Sequence, residues 1–178
     1  MGGADPDNAT LKVIRALDKV DVADLEVVAV LGAENPHHQS VQHAVDSSRH
    51  SARLSRNAAS MPELMAWADV AISAVGTTCW ELAFMGLPSL AVVIAKNQRY
   101  AATRLDEAKL LKAIGSCHGI CNTLLAAELM ALMHDRDVRE GWSRSARRLV
   151  TGLGGREVIR VLCERSTMLS EETFNGSF

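Results

Sequence analysis

The residues best suited by type and spacing to chemistry lie at positions 73–81, in the order Ser-Ala-Val-Gly-Thr-Thr-Cys-Trp-Glu. A short apolar run at residues 69–72 predicts a strand before them. The apolar stretch at residues 80–85, closed by Gly86 and Pro88, predicts a buried helix after them. The segment is therefore expected to be a strand that ends in small and hydroxylated residues and opens directly into a helix.

Such a junction can bind a phosphate group without any lysine or arginine. The first backbone N–H groups of a helix lack intrahelical partners, and the helix dipole places partial positive charge there. Gly76 lets the backbone approach a ligand closely, while the hydroxyls of Thr77 and Thr78 can bind phosphate oxygens. Glu81, in the first turn, can accept hydrogen bonds from both hydroxyls of a ribose. The alternative is structural: Thr77 is an ordinary helix cap and Glu81 an acid favoured by the dipole.

The cysteines and histidines give weaker signals. The four cysteines show no spacing typical of paired disulfides, so reduced thiols are expected. Cys117 and His118 together with Cys121 resemble part of a zinc site, but no second ligand pair stands at a suitable spacing elsewhere. We therefore expect no metal site and no cofactor.

Length and charge exclude several functional classes. The 178 residues suffice for one ordinary domain with its own core. With 19 basic and 21 acidic residues, the chain has no charge excess suited to nucleic acid or to an anionic membrane. No apolar run approaches the ~20 residues that span a bilayer, and no secretory leader is evident. The sequence predicts a soluble, cytoplasmic protein.

Short apolar runs alternate with longer amphipathic segments along the whole chain, a pattern typical of a Rossmann-like α/β domain with a parallel sheet flanked by helices. We expect this domain to cover residues 1–166 and a flexible tail to cover residues 167–178. A loop at residues 115–119 has room for one further short strand. Strands are predicted at residues 26–31, 52–55, 69–72 and 89–94, and helices at about residues 8–20, 37–47, 61–68, 98–114, 123–134, 138–151 and 156–164.

The beginning of the chain departs from this pattern. Gly2 and Gly3 form a glycine turn that leads into a helix, yet no strand stands before it, although such a turn normally follows a strand. The chain therefore reads as the second half of a longer protein whose first strand is missing. Because the neighbours of a missing strand would expose unpaired hydrogen-bonding edges, we expect self-association.

Several separated motifs in the same order as in a known family resemble the carboxyl-terminal domain of the PseG family. These enzymes are UDP-2,4-diacetamido-2,4,6-trideoxy-beta-L-altropyranose hydrolases of pseudaminic acid biosynthesis, related to SpsG and to MurG glycosyltransferases. The resemblance covers residues 1 to about 165. It rests on the residues at 2–6 with Asn8 and Thr10, on residues 73–82, on Gly86-Leu87-Pro88 and on Asn97-Gln98.

The resemblance implies the second domain of a two-domain GT-B fold, on which UDP or a UDP-sugar binds. Gly76, Thr77 and Thr78 would contact the diphosphate, and Glu81 would hold the ribose. Val75 stands where the family usually has a very small residue, which predicts crowding of the diphosphate turn. The remaining implied contacts are the phosphates or sugar for Gly2 and Gly3, the sugar for Asn97 and Gln98, and the uracil edge for Ser60 and Met61.

The resemblance also implies that this half has no catalytic residue of its own. Hydrolysis in the family is attributed to a histidine in the other domain, and none of the six histidines here stands in that motif. The chain is thus expected to bind a UDP-sugar rather than to turn it over alone. The alternatives are the UDP-sugar-binding half of a MurG-like glycosyltransferase, a stand-alone non-catalytic UDP-sugar binding module, or a parallel sheet whose glycines and threonines are only turns and caps. A nicotinamide site is disfavoured because no G-x-G-x-x-G follows a strand.

Overall fold

The computed structural model describes residues 1–2, 4–56, 58, 60–119 and 121–174, with side chains described up to residue 164. Strands and helices alternate from α1 to β5, as predicted for an α/β protein, and three helices follow β5. The strands are β1 (Glu26–Leu31), β2 (Ser51–Arg56), β3 (Ala71–Ala74), β4 (Ser89–Val93) and β5 (Lys112–Ser116). The helices are α1 (Ala9–Leu17), α2 (His38–Asp46), α3 (Met61–Trp67), α4 (Thr78–Met85), α5 (Arg99–Glu107), α6 (Asn122–His134), α7 (Arg136–Leu149) and α8 (Gly154–Phe174).

The five strands form two sheets in which every pairing is parallel. Strand β1 pairs with β2, with Glu26 opposite Ser51, and β4 lies between β3 and β5. Parallel neighbours need crossover connections, and helices supply them here. In the part of the chain that the structure describes, β1 and β3 each pair on one side only. The two strands thus present sheet edges. The further strand expected before Gly2 stays a prediction.

Strand β4 shows why the sheet is covered on both faces. All five of its residues are buried, as expected of a parallel strand between two helical layers. Leu90 and Val92 join one apolar cluster, and Ala91 and Val93 join another. Because side chains alternate along a strand, the two clusters lie on opposite faces of the sheet.

Helices α1 and α6 cover one of these faces. Ala16 and Leu17 of α1 share a cluster with Leu125 and Leu129 of α6, and Val27 of β1 and Ile72 of β3 pack against the same cluster. The two sheets therefore share one apolar layer. Helices α4, α5 and α7 contribute to the cluster on the other face, and α2 packs on β1, β2 and α1.

The predicted helix at residues 98–114 is wrong in its second half. Helix α5 ends at Glu107, Lys109 adopts a left-handed backbone conformation with φ of 55°, and residues 112–116 form β5. Leu110 and Leu111 are buried where the chain turns back to the sheet. Pairing with β4 thus outweighs the helix propensity of this alanine-, leucine- and lysine-rich segment.

Two further differences concern helices. Helix α4 was predicted to be buried, but Trp80 and Phe84 are about half exposed, at 51% and 52%, because α4 packs on the sheet and α7 and leaves its outer side open. The backbone of α8 continues to Phe174, into the segment predicted to be a tail. No helix in the described ranges is long and apolar enough to cross a membrane.

Candidate functional site

The predicted phosphate-binding turn connects β3 to α4 and is fixed at both ends. On the strand side, the backbone N–H of Val75 donates to the carbonyl oxygen of Val92 at 3.0 Å, which extends the β3–β4 ladder by one residue. On the helix side, the N–H of Cys79 donates to the carbonyl oxygen of Gly76 at 3.1 Å. The three residues between these contacts are therefore held in place by the sheet and by the first turn of α4.

Two backbone donors at this turn are unsatisfied. No described group accepts a hydrogen bond from the N–H of Thr77 or of Thr78, and Thr77 stands at the N-cap of α4 without a capping side-chain bond. Gly76 and Thr77 are exposed, and a Cβ added at Gly76 would meet no atom within 4 Å. The turn thus offers free donors and open space, which suits an anion.

Helix α4 begins over a buried thiol. Cys79 donates from Sγ to the carbonyl oxygen of Ala74 at 3.3 Å. Burial raises the pKa of the Cys79 thiol, and a hydrogen bond from the backbone of Gly76 partly opposes that rise. Val75 is 3% exposed and packs into the same cluster as Cys79. The expected crowding of the turn by Val75 is wrong, because this side chain points into the core.

Glu81 lies in the first turn of α4 and is exposed. Across the described side chains, no hydrogen bond or ion pair engages its carboxylate. An acid there is favoured by the helix dipole, which makes Glu81 compatible with both the structural and the ribose-binding interpretation. Its free carboxylate can accept two hydrogen bonds from a ligand.

Asn97 and Gln98 belong to a short 3₁₀ helix, Lys96–Gln98, that follows β4. Because β3 and β4 are parallel neighbours, this loop and the Gly76 turn lie at the same edge of the sheet. Gln98 accepts from the backbone N–H of Ile94 at 2.9 Å through Oε1. Gln98 therefore holds the loop with its oxygen, and its Nε2 and the exposed Asn97 are the groups left for a ligand.

Ser60 and Met61 begin α3, as predicted. Ser60 is the N-cap with an extended backbone, but its side chain makes no capping bond. Met61 packs against the apolar cluster formed by α3 and α4. The assignment of the backbone of Ser60 and Met61 to the uracil edge stays a prediction.

The glycine turn at the start of the chain differs from the turn before α4. Gly2 is exposed, with φ of 78°, and Gly3 lies outside the described residues. The carboxylate of Asp5 accepts hydrogen bonds from the N–H groups of Ala9 at 2.8 Å and Thr10 at 2.9 Å. The amino end of α1 is thus filled by the chain itself and is not free for a phosphate.

Sequence reasoning missed this role of Asp5, and it also missed Asp7. Cys117 and His118 follow β5, and the structure places them against the carboxylate of Asp7 rather than with Cys121. Burial and then the charge of Asp7 raise the pKa of Cys117. An acid before a helix is a detectable capping signal, but a contact between residues 110 positions apart leaves no local pattern.

A depression of about 710 Å³ lies elsewhere, between α5 and β5. Arg99, Thr103 and Ser116 are among the residues that line it, and none of the predicted site residues does. Geometry at the amino end of α4, rather than cavity size, therefore identifies the candidate nucleotide site.

Comparison with known proteins gives the context of this site. Residues 1–133 match the model of the glycosyltransferase family 28 C-terminal domain. The spore coat polysaccharide biosynthesis protein SpsG of Bacillus subtilis is 25% identical over 173 residues, which cover 97% of this chain and 50% of SpsG.

Among solved structures, MurG of Acinetobacter baumannii superposes with a TM-score of 0.76 at 16% identity, over 92% of this chain and 48% of MurG. The glycotransferase of kitacinnamycin superposes with a TM-score of 0.66 at 19% identity, over 93% of this chain and 40% of that protein. The chain thus spans about half the length of SpsG and of MurG. These superpositions confirm the predicted fold, that of the carboxyl-terminal GT-B domain of MurG-like proteins. With the family model matching about three quarters of its length, the chain belongs to the glycosyltransferase family 28 C-terminal domain family.

Proposed function

We propose that this chain is the UDP-sugar-binding half of an enzyme of surface glycan biosynthesis. The observation that carries the proposal is the amino end of α4, where the N–H groups of Thr77 and Thr78 are unsatisfied and the Thr77 hydroxyl makes no capping bond. A diphosphate supplies the acceptors that these donors lack. Membership of the glycosyltransferase family 28 C-terminal domain family supports a nucleotide-sugar as the source of that diphosphate.

The chemical contribution of this half is positioning and charge stabilisation. In a reaction that releases UDP, negative charge develops on the leaving diphosphate, and fixed amide donors at a helix start stabilise that charge without reorganising. Glu81, one turn further along α4, is placed to accept from the two ribose hydroxyls. Because helix amides face the phosphates in this scheme, the diphosphate needs no metal ion.

The other predicted contacts fit this arrangement to different degrees. Asn97 and the Nε2 of Gln98 lie at the same sheet edge and are assigned to the sugar. The backbone of Ser60 and Met61 is assigned to the uracil edge. The amides at the start of α1 are not assigned to the ligand, because Asp5 binds them. Only the turn at Gly2 and Gly3 is assigned to the phosphate or sugar.

For the complete enzyme, we propose hydrolysis of a UDP-sugar of the pseudaminic acid pathway, in the cytoplasm. The motif resemblance to the PseG family supports the reaction, and the relative named for spore coat polysaccharide biosynthesis supports the broader process. The reacting groups would lie on the other half. We assign no catalytic residue here and expect this chain to bind without turnover.

A MurG-like glycosyltransferase is the second candidate, and the superposition on MurG favours it. Both reactions release UDP from the same nucleotide half, so they differ in what attacks the sugar. Full-length protein incubated with its UDP-sugar distinguishes them. Release of UDP and free sugar in water alone supports a hydrolase, and release that requires an added acceptor supports a transferase.

Calorimetric titration of the chain with UDP tests the binding site. We expect saturable binding and a loss of at least about tenfold in affinity for Glu81→Ala and for Thr78→Val, because hydrogen bonds to charged groups contribute roughly 1.5–3 kcal/mol. Asp137→Ala is the matched control, since Asp137 is an exposed acid in the first turn of α7, a helix that carries none of the predicted site residues. The stand-alone module would be supported if the chain binds UDP saturably and no partner half gives it catalytic activity. Binding unaffected by Glu81→Ala and Thr78→Val would contradict the proposed site.

A further inference from the structure

We propose that Asp7, Cys117 and His118 form a binding site for a divalent transition-metal ion of borderline softness, such as zinc. One carboxylate oxygen of Asp7, Sγ of Cys117 and one imidazole nitrogen of His118 all lie within 4.8 Å of one another. Carboxylate, thiolate and imidazole are the three side-chain donors that zinc takes in proteins. The site shares no residue with the amino end of α4 and does not rest on the proposed nucleotide function.

The three side chains contact one another in the structure. Sγ of Cys117 lies 3.2 Å from Nδ1 of His118 and 3.8 Å from Oδ2 of Asp7, and Nε2 of His118 lies 3.6 Å from Oδ1 of Asp7. Ligand atoms on one tetrahedral zinc ion lie about 3.3–3.6 Å apart, given bonds of about 2.3 Å to sulfur and about 2.0–2.2 Å to nitrogen or oxygen. The two distances from His118 involve different imidazole nitrogens, and the two from Asp7 involve different carboxylate oxygens. Binding therefore needs rotation of these two side chains to bring one nitrogen and one oxygen onto the ion beside Sγ, from a set that already lies within 4.8 Å.

The backbone around the site is well fixed. The N–H of Cys117 donates to the carbonyl oxygen of Val93 at 2.9 Å, which continues the β4–β5 ladder, and Cys117 is a buried member of the apolar cluster under α1 and α6. A turn follows, in which Gly119 donates to the carbonyl oxygen of Ser116 at 2.9 Å. Sheet and turn therefore preset the positions of Cys117 and His118.

The opposite wall of the site comes from the segment before α1. Asp7 lies between Asp5, which binds the helix amides, and Asn8, which caps the helix by accepting from Leu11. The side chains of Asp7 and His118 are 37% and 68% exposed. An ion can therefore enter from solvent, and a water molecule can complete a fourth position.

The charges around the site suit a divalent cation. Binding releases the thiol proton of Cys117 to solvent, so that two anionic ligands face the ion and one neutral imidazole completes the set. The ammonium of Lys12 lies nearby and donates to the carbonyl oxygen of Cys117 at 3.1 Å. The positive charge of Lys12 weakens the binding of a cation, and the negative charge of the buried Asp5 carboxylate strengthens it.

Titration of the reduced chain with Co²⁺, followed by displacement with Zn²⁺, tests the site. We expect one Co²⁺ per chain with a thiolate-to-cobalt charge-transfer absorption that Zn²⁺ removes. Cys117→Ser should abolish that absorption. His118→Asn and Asp7→Asn should each weaken Co²⁺ binding by at least about tenfold, since even outer partners of metal ligands cost that much.

Cys121→Ser is the matched control, because Cys121 is the exposed cysteine four positions further on and lies outside the cluster. It should leave the titration unchanged. Absence of the charge-transfer absorption in the unmodified chain, or its loss in Cys121→Ser but not in Cys117→Ser, would overturn the proposal. The UDP titration is a separate measurement: Glu81→Ala should leave Co²⁺ binding intact, and Cys117→Ser should leave UDP affinity intact.

Discussion

The thiol of Cys79 donates to the backbone carbonyl oxygen of Ala74, with Sγ and the oxygen 3.3 Å apart, and so joins the first turn of α4 to the last residue of β3. This contact lies on the buried side of the turn, because Cys79 and Ala74 are both buried. Thr77 is exposed above this contact, and Thr78 is half-buried. Strand, thiol and helix therefore fix a turn in which the amides of Thr77 and Thr78 have no acceptor among the described groups.

Thiol reactivity should differ sharply between Cys79 and Cys121. Burial raises the pKa of Cys79, whereas the backbone N–H and hydroxyl of Thr123 stabilise the thiolate of Cys121 and lower its pKa. Because the thiolate is the reactive form, Cys121 should react with iodoacetamide at a lower pH than an ordinary cysteine, and Cys79 only at a higher pH. Mass spectrometry of the native chain across a pH series measures both rates. Equal rates for the two cysteines at neutral pH would contradict the structure.

Gly86 is required by the end of α4. It adopts φ of 67°, and a Cβ there would overlap the side chains of Arg147 and Ser143 of α7. Gly86→Ala should therefore lower the free energy of unfolding by more than about 1 kcal/mol. Gly141→Ala is the matched control, since Gly141 lies within α7 with open space around it, and it should stabilise by about 0.5–1 kcal/mol. Urea denaturation of both variants measures the two changes in unfolding free energy, which should have opposite signs. If Gly86→Ala stabilised the chain, Gly86 would not be required at the end of α4.

Asp5 should matter for stability more than Asp7. Asp5→Asn removes one of two charged acceptors that bind the amides of Ala9 and Thr10, and we expect a loss of about 1–2 kcal/mol in unfolding free energy. Asp7→Asn, in the same turn, makes no bond to a helix amide and should change the value by less than about 0.5 kcal/mol in metal-free buffer. Urea denaturation compares the pair, and equal losses would show that the bonds from Asp5 to the first amides of α1 do not stabilise the fold.

The open edges of β1 and β3 should lead to self-association. Each strand carries unpaired backbone donors and acceptors along one side in the described chain, and such edges pair readily with another chain. We expect light scattering after gel filtration to give a mass above that of one chain, rising with protein concentration. A monomeric mass at high concentration would contradict this expectation.

The sequence predicts elements well where local patterns are strong. Strand β1 has the predicted bounds, 26–31, because its valine-rich run stands between polar residues. The turn at residues 76–78 was likewise predictable, since small and hydroxylated residues separate a strand from a helix. Strand β5 was not, because its local composition favours a helix and only pairing with β4 makes it a strand.

The two candidate sites differ in the same way in how far the sequence predicts them. Gly76, Thr77, Thr78 and Glu81 are close in sequence, so their proximity follows from one strand and one helix. The contact of Asp7 with Cys117 depends on the fold bringing α1 beside the end of β5, which no local spacing encodes. The unsatisfied amides of Thr77 and Thr78 could not be predicted from the sequence, because the same residues are compatible with a helix that the Thr77 side chain caps. The structure shows that this capping bond is absent.

A crystal structure of this chain soaked with UDP tests the central claim most directly. The account predicts the diphosphate within hydrogen-bonding distance of the N–H groups of Thr77 and Thr78, with the ribose hydroxyls on the carboxylate of Glu81. UDP bound at another place, or a turn whose amides are taken up by the protein's own groups, would contradict it.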